Sequence, residues 1–328
     1  MKDDAPQRDS QRFGARSDAA DDAGLTSGGH VPGTARPAYS LQRSGEGGLP
    51  VLIAVPHAGR AYPPGLIESM RHGEMAAQRL EDRFVDRIGR MAAAACGASL
   101  LVAHVPRAMI DLNRDTGDID RGMFSGPPPS SGARLPDLPR QQSRAARGLG
   151  LFPRRLPGLG ELWRQPLSAE EAERRIAAVH VPYHLALGRE LARLKERHGY
   201  AILIDLHSMP SLPPAGRGAS PTHVVGDRFG ASCASSLAAS SMELLSRALA
   251  VPAYNRPYAG GYVLDRHGRP RQDIHALQLE IDRARYLDQA GQPREQGTGE
   301  EGRIVSELAQ LLAGLIAGGG WAYSDAAE

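Results

Sequence analysis

The sequence predicts an α/β fold, a mostly parallel sheet covered by helices on both faces, and three observations carry that prediction. Short apolar runs end abruptly in polar residues: VLIAV at 51–55 before Pro56 and His57, AILIDL at 201–206 before His207, and LQLEI at 277–281 enclosing Glu280. Between these runs lie longer stretches with apolar residues at helical spacing. Every residue type suited to chemistry stands at or near the end of a predicted strand, where open α/β sheets bind ligands.

The elements follow in order. Val51 to Val55 is short and β-branched, as a buried strand should be. Residues 68–95 carry Leu80, Phe84, Ile88 and Met91 at near-helical spacing and predict one helix. SLLVAHVP gives a second strand ending at Pro106, followed by the loop RAMIDLNRDTGDID. Residues 116–160 are rich in Gly, Pro, Ser and Arg; a loop of that length suggests a lid, a substrate loop or partial disorder. A helix is predicted over 169–197, with Ser168 as its cap, Glu171 three residues on, and an interruption at Pro182. The clearest strand, Ala201 to Leu206, precedes a helix over 229–249, the strand at 277–281 and a last helix over 300–317.

At 328 residues the chain can bury a large core. Residues 1–49 lack a periodic apolar pattern and read as a flexible tail, leaving 50–320 as one catalytic domain. Lys plus Arg number 39 against 37 Asp plus Glu, scattered without a basic stripe, which argues against nucleic acid as a partner. Cys96 and Cys233 lie in small-residue runs and read as free buried thiols. No secretory leader is visible, and LAQLLAGLIAGGGW is too short and glycine-rich to span a bilayer, so the expected setting is the cytoplasm.

His57 and His207 with a carboxylate would leave one position open around a zinc ion for water. Asp82 and Asp86 lie one helical turn apart, and spacing does not choose between them. Glu280 sits among Leu277, Leu279 and Ile281, where an acid costs solvation unless a cation or proton attends it; this suits a general base, or a buried ion pair. Arg114, beside Asn113, can fork onto a substrate carboxylate or pair with a neighbouring acid such as Asp111. Asn255, Tyr258, Gly260 and Gly261 form a segment where adjacent glycines permit close backbone approach to a ligand or a plain turn. His180 and His184 form HxxxH without the glutamate of the HExxH motif, so His184 is read as a pocket residue and His180 as structural. There is no G-x-S-x-G for a serine hydrolase, and no glycine fingerprint for a nucleotide.

Taken in order, VPHAG at 55–59, DRFVDRI at 82–88, DLNRD at 111–115, PYH at 182–184, DLHSMP at 205–210, NRPYAGGY at 255–262 and QLEIDRARYLD at 278–288 resemble the N-formylglutamate amidohydrolase family. The resemblance implies a three-layer α/β/α, zinc carboxypeptidase-like fold (phosphorylase/hydrolase-like), related also to aspartoacylase. It implies one zinc ion and hydrolysis of N-formyl-L-glutamate to formate and L-glutamate, a step of histidine degradation. His57 and His207 are then metal ligands, Glu280 the catalytic glutamate, and Asn113 and Arg114 the substrate-binding pair, with Arg114 also catalytic as the donor that stabilises the oxyanion or orients the substrate carboxylate. Carboxypeptidases use HxxE, but the third residue after His57 is Arg60, so Asp82 is preferred as the acidic ligand and Asp86 kept as the alternative. The family often has HSG where this chain has HAG. Rival readings are a deacylase of another N-acyl acidic amino acid or formylated amide, a zinc carboxypeptidase, and a catalytically silent α/β protein.

Overall fold

The computed structural model describes residues 24–129, 143–214, 218–294 and 299–319. Its elements are β1 (Leu25–Gly28), β2 (Tyr39–Gln42), β3 (Val51–Val55), α1 (Gly73–Leu80), α2 (Val85–Cys96) and β4 (Ser99–Ala103). A small hairpin, β5 (Arg155–Leu156) and β6 (Gly160–Glu161), precedes α3 (Ala169–Arg175), α4 (Val181–His198) and β7 (Ala201–Met209). The chain continues through β8 (His223–Gly226), α5 (Ser235–Arg247), β9 (Pro252–Tyr254), α6 (Tyr262–His267), β10 (Ile274–Asp282) and α7 (Glu300–Gly318).

Eight strands form one mixed sheet in the order β1-β2-β4-β3-β7-β10-β8-β9. Its centre, β4-β3-β7-β10, is parallel, while antiparallel pairings join β2 to β4 and β8 to β10. Alternate side chains of the central strands serve opposite faces. Val51, Ile53 and Val55 of β3 and Ile202, Ile204 and Leu206 of β7 pack in one cluster with Ile88 of α2, Leu237 of α5 and Leu308 of α7. Leu52, Ala54, Ala201 and Leu203 pack in the other with Leu187, Leu191 and Leu194 of α4. The predicted α/β architecture with both sheet faces covered is therefore present.

Along β7 the α4-facing positions run Ala201, Leu203, Asp205, His207; along β10 they run Ala276, Gln278, Glu280. On β10 the opposite face is apolar toward the carboxyl end, with Leu277, Leu279 and Ile281 in the first cluster. One face of the sheet thus turns from apolar to polar at the carboxyl ends of its parallel strands, and there the site is built.

Four expectations change. The helix expected over 68–95 is two helices, broken at Glu81–Phe84, where Phe84 takes a left-handed φ of 60°. The helix expected over 229–249 starts only at Ser235, after a turn in which Arg228 and Phe229 have positive φ. Cys96 is half-buried, whereas Cys233 is buried; both are free.

The largest change concerns the tail: residues 1–23 lie outside the described residues, but β1 and β2 pair in the sheet. Pro182 explains part of this. Lacking an N–H, it cannot bond to the Ala178 carbonyl four residues back. The backbone N–H of His30, between β1 and β2, donates to that carbonyl instead at 3.0 Å. The interruption expected at Pro182 takes the form of a π-helical turn, Ile176–His180, running into α4. Ser168 caps α3 as predicted, accepting from Glu171 N at 3.1 Å.

Residues 130–142 of the expected long loop lie outside the described residues. Around them, Leu151 and Phe152 are buried in the α4-side core, and Arg154 ties Asp120 to Glu161. Among the described residues no helix is long and apolar enough to cross a membrane.

Candidate metal centre and active site

His57 leaves the end of β3, His207 ends the polar face of β7, and Asp82 lies in the break between α1 and α2. The Asp82 backbone N–H donates to the His57 carbonyl at 2.9 Å, which ties the break to the β3 end. One ligand atom from each of these three buried side chains lies within 4.8 Å of the other two. Asp82 Oδ2 is 3.0 Å from His207 Nδ1 and 3.6 Å from His57 Nδ1.

The other nitrogen of each ring faces a buried carboxylate. His57 Nε2 is 2.8 Å from Asp111 Oδ1, and His207 Nε2 is 2.8 Å from Asp205 Oδ2. Each carboxylate accepts the Nε2 proton, so both rings turn Nδ1 toward Asp82. Metal-binding histidines are oriented in just this way. The fit has an independent sign: among the described residues, His57 Nδ1 is buried without a hydrogen-bond partner. A lone pair left so in protein costs solvation, and a cation would satisfy it. Two imidazoles and a carboxylate suit zinc. With no cation, burial would lower the His207 pKa, but Asp205, Asp82 and Glu280 hold it well above the ordinary histidine range. Burial would likewise raise Asp82, yet the hydrogen bonds and charges of His207 and His57 hold it well below the usual carboxylate range.

Glu280 stands directly across from His207 in the β10–β7 register and is buried. Burial pushes its pKa up to about 7, with Asp82 and Asp205 adding to the rise and His207 and Arg107 opposing it. Gln278 Nε2 donates to Glu280 Oε1 at 2.9 Å and fixes the carboxyl group. Around this group stand Arg107, whose Nε donates to Asp111 Oδ2 at 2.9 Å, and Arg283, 3.7 Å from Asp82 Oδ1. Burial pushes the Tyr258 phenol up, and the charges of Glu280, Arg283, Asp82 and Arg107 act on it, which puts Tyr258 near this cluster.

Other expected residues are placed differently. Asp86 is not in the cluster; in α2 it lies 3.9 Å from both Arg60 and Arg90. Asn113, expected to meet substrate, has both ends occupied: Oδ1 accepts from Val263 N at 2.9 Å, and Nδ2 donates toward Gln278 and Asp205 at 3.3 and 3.4 Å. Asn255 is likewise engaged, accepting from Asp227 N and donating to Asp227 Oδ1. His184 is no pocket lining: Nε2 meets the Leu112 carbonyl and Nδ1 meets His267 Nε2, both at 3.0 Å. His180 donates to the Arg114 carbonyl at 2.9 Å and is structural, as expected. Gly260 and Gly261 admit a protein neighbour: a Cβ at Gly261 would fall 2.6 Å from Asn113 Oδ1. Arg114 spends Nε on the Leu149 carbonyl at 2.9 Å and Nη1 on the Asn113 carbonyl at 2.6 Å, leaving Nη2.

Sequence reasoning passed over Asp205, Asp111, Arg107, Gln278 and Arg283. Asp205 had a usable signal, since it stands two residues before His207 and shares its strand face. Asp111 had none stronger than its place in DLNRD.

A family model described as N-formylglutamate amidohydrolase matches residues 49–287. An N-formylglutamate deformylase of Pseudomonas aeruginosa is 34% identical over 293 residues, covering 85% of this chain and 97% of that protein. One from Pseudomonas putida is 31% identical over 291 residues, covering 85% and 96%. The crystal structure of N-formylglutamate amidohydrolase from Ralstonia eutropha JMP134 superimposes with a TM-score of 0.74 at 26% identity, covering 86% of this chain and 99% of that one.

Proposed function

Because the chain belongs to the N-formylglutamate amidohydrolase family, we propose that it hydrolyses N-formyl-L-glutamate to formate and L-glutamate, with one zinc ion held by His57, Asp82 and His207. The observation that carries this reading is the pairing of those three converging ligand atoms with a buried glutamate one strand away, across from His207 in the register. Bound there, zinc supplies a water of lowered pKa and polarises the formyl carbonyl.

The chain's own residues do the rest. Asp111 and Asp205 fix the tautomer and direction of the two imidazoles. Glu280 takes the proton of the attacking water as the new C–O bond forms. It returns that proton to the amine nitrogen as the C–N bond breaks, which yields formate and the amino acid. A carboxyl group whose proton affinity burial raises suits both halves of that exchange. Arg107 adds positive charge beside the acidic cluster, and Arg114 keeps Nη2 for a substrate carboxylate. The HAG sequence leaves His57 as a donor, since Ala58 beside it carries no ligand atom and His57 still converges with Asp82 and His207.

The test is metal content together with formate release from N-formyl-L-glutamate, before and after chelation. One equivalent of zinc and chelator-sensitive formate release is the expected result. Zinc without formate release would keep the metal centre and move the substrate to another N-acyl amino acid.

A further inference from the structure

We propose that Arg283 is a specificity-determining residue that receives one of the two carboxylates of the substrate; this rests on the reading that the substrate is an acidic N-acyl amino acid. Arg283 opens a single 3-10 turn, Arg283–Arg285, three residues beyond Glu280. Asp282 fixes the backbone there, its Oδ1 accepting from Ala284 N at 2.9 Å and from Ser211 Oγ at 2.8 Å. The guanidinium is thereby held beside the metal-ligand cluster, with Nη2 donating to the Ser208 carbonyl at 3.2 Å and lying 3.7 Å from Asp82 Oδ1.

Arg283 keeps one donor unused beside the cluster. Its Nε is buried without a hydrogen-bond partner among the described residues, while a quarter of the side chain remains exposed. Arg114 has given two nitrogens to backbone carbonyls and keeps Nη2, and Arg107 has given Nε to Asp111, so Arg283 is a second cation available beside Arg114 for a substrate with two carboxylates. A guanidinium presents its donors in a fork that matches a carboxylate, and a buried donor with no acceptor is costly until one arrives. The surroundings also demand a cation. Asp82, Asp111, Asp205 and Glu280 crowd one side of the site, and a substrate with two negative charges would be repelled unless guanidinium groups meet it. The sequence keeps Arg283 inside QLEIDRARYLD, the same segment that supplies Glu280, so one strand end places both the base and the anchor.

The same distance to Asp82 allows a different role, support of a metal ligand, and the experiment separates the two. Formate release by the parent and by Arg283→Gln and Arg283→Lys is measured with N-formyl-L-glutamate, N-formyl-L-glutamine and the α-amide of N-formyl-L-glutamate. Zinc content and the calorimetric affinity for glutarate are measured on the same preparations. For Arg283→Gln the expected result is KM for N-formyl-L-glutamate raised about 10- to 100-fold with kcat within about threefold. Zinc content stays unchanged, glutarate binds about tenfold or more weakly, and the preference over one of the two amides, not both, disappears. Arg283→Lys recovers part of that preference. Retained discrimination against both amides, or a loss that falls on kcat and zinc content together, overturns the proposal. A parent enzyme that binds zinc but releases no formate from N-formyl-L-glutamate refutes the substrate reading instead, and the proposal falls with it.

Discussion

Glu280 and His207 are register partners on neighbouring parallel strands, β10 and β7, with both side chains buried on the face that packs against α4. Parallel strands in register bring such residues side by side without any loop to position them. Two residues earlier on each strand stand Gln278 and Asp205, also register partners, and each touches the member of the first pair on its own strand. The centre of the site is therefore a two-by-two block set into the sheet, and connecting segments bring His57, Asp82, Asp111, Arg107 and Arg283 to it. Rigid strands hold catalytic groups more closely than loops do.

Replacing Glu280 with Gln keeps the shape and lets Gln278 still donate to the side-chain oxygen. It removes the proton acceptor. Formate release is expected to fall by about 10²- to 10⁴-fold, with zinc content and thermal midpoint close to the parent's. Turnover near the parental rate would end the assignment of Glu280 as the base.

Asp205 never touches the cation in this reading, yet it should govern how tightly the ion is held. Asp205→Asn keeps an acceptor for His207 Nε2 but removes the charge behind the ring. Zinc affinity, measured by competition with a chromophoric chelator, is expected to weaken by about 10- to 100-fold. Unchanged circular dichroism would show that the fold survives. An affinity equal to the parent's would mean that the 2.8 Å contact is incidental.

A buried histidine away from the cluster gives the pH dependence of stability. Burial, with Arg285 assisting, pushes His223 from its ordinary 6.5 down to about 3. Glu307 lies 3.5 Å from its Nε2, but both oxygens of that carboxylate are taken by Arg285. As pH falls below 6.5 the unfolded chain takes up this proton while the folded protein does not. Stability present above pH 6.5 is thus lost progressively down to about pH 3. By pH 5 the loss from this one group is about 2 kcal/mol. Urea unfolding of His223→Gln should show a smaller drop between pH 7 and pH 5 by that amount, and an identical drop in both proteins would contradict it.

The central strands could be read from the sequence because burial on both faces leaves apolar runs, and the polar residues that end such runs marked His57 and His207 as candidates, while their proposed role as ligands came from the family resemblance. The acidic ligand was harder. Periodicity merged 68–95 into one helix and could not see that Phe84 breaks it, so Asp82 and Asp86 looked equivalent; the break turns only Asp82 inward. Polar residues such as Asn113, Asn255 and His184 have the composition of a binding site, but they are used up by backbone groups they hold in place. Composition cannot tell a group that binds ligand from one that satisfies a buried carbonyl.

Residues 24–49 were misread for the opposite reason: they contribute backbone pairing and a few buried side chains, Val31, Ala38 and Leu41, too scattered to leave a periodic apolar pattern. Gly29 tests that contribution. It has a φ of 56°, and a Cβ there would fall 2.5 Å from the Ala178 carbonyl oxygen, the oxygen that Pro182 leaves unpaired and His30 N satisfies. Gly29→Ala should therefore strain the turn and push His30 away from Ala178 at once. A loss of about 1–3 kcal/mol is expected from the strained φ and the uncovered buried carbonyl. Chemical denaturation measures it, and zinc affinity serves as a control because neither residue touches the metal ligands. A variant as stable as the parent would mean that residues 24–49 rest on the sheet edge without supporting α4, and that the π-helical turn at Ile176–His180 holds without them.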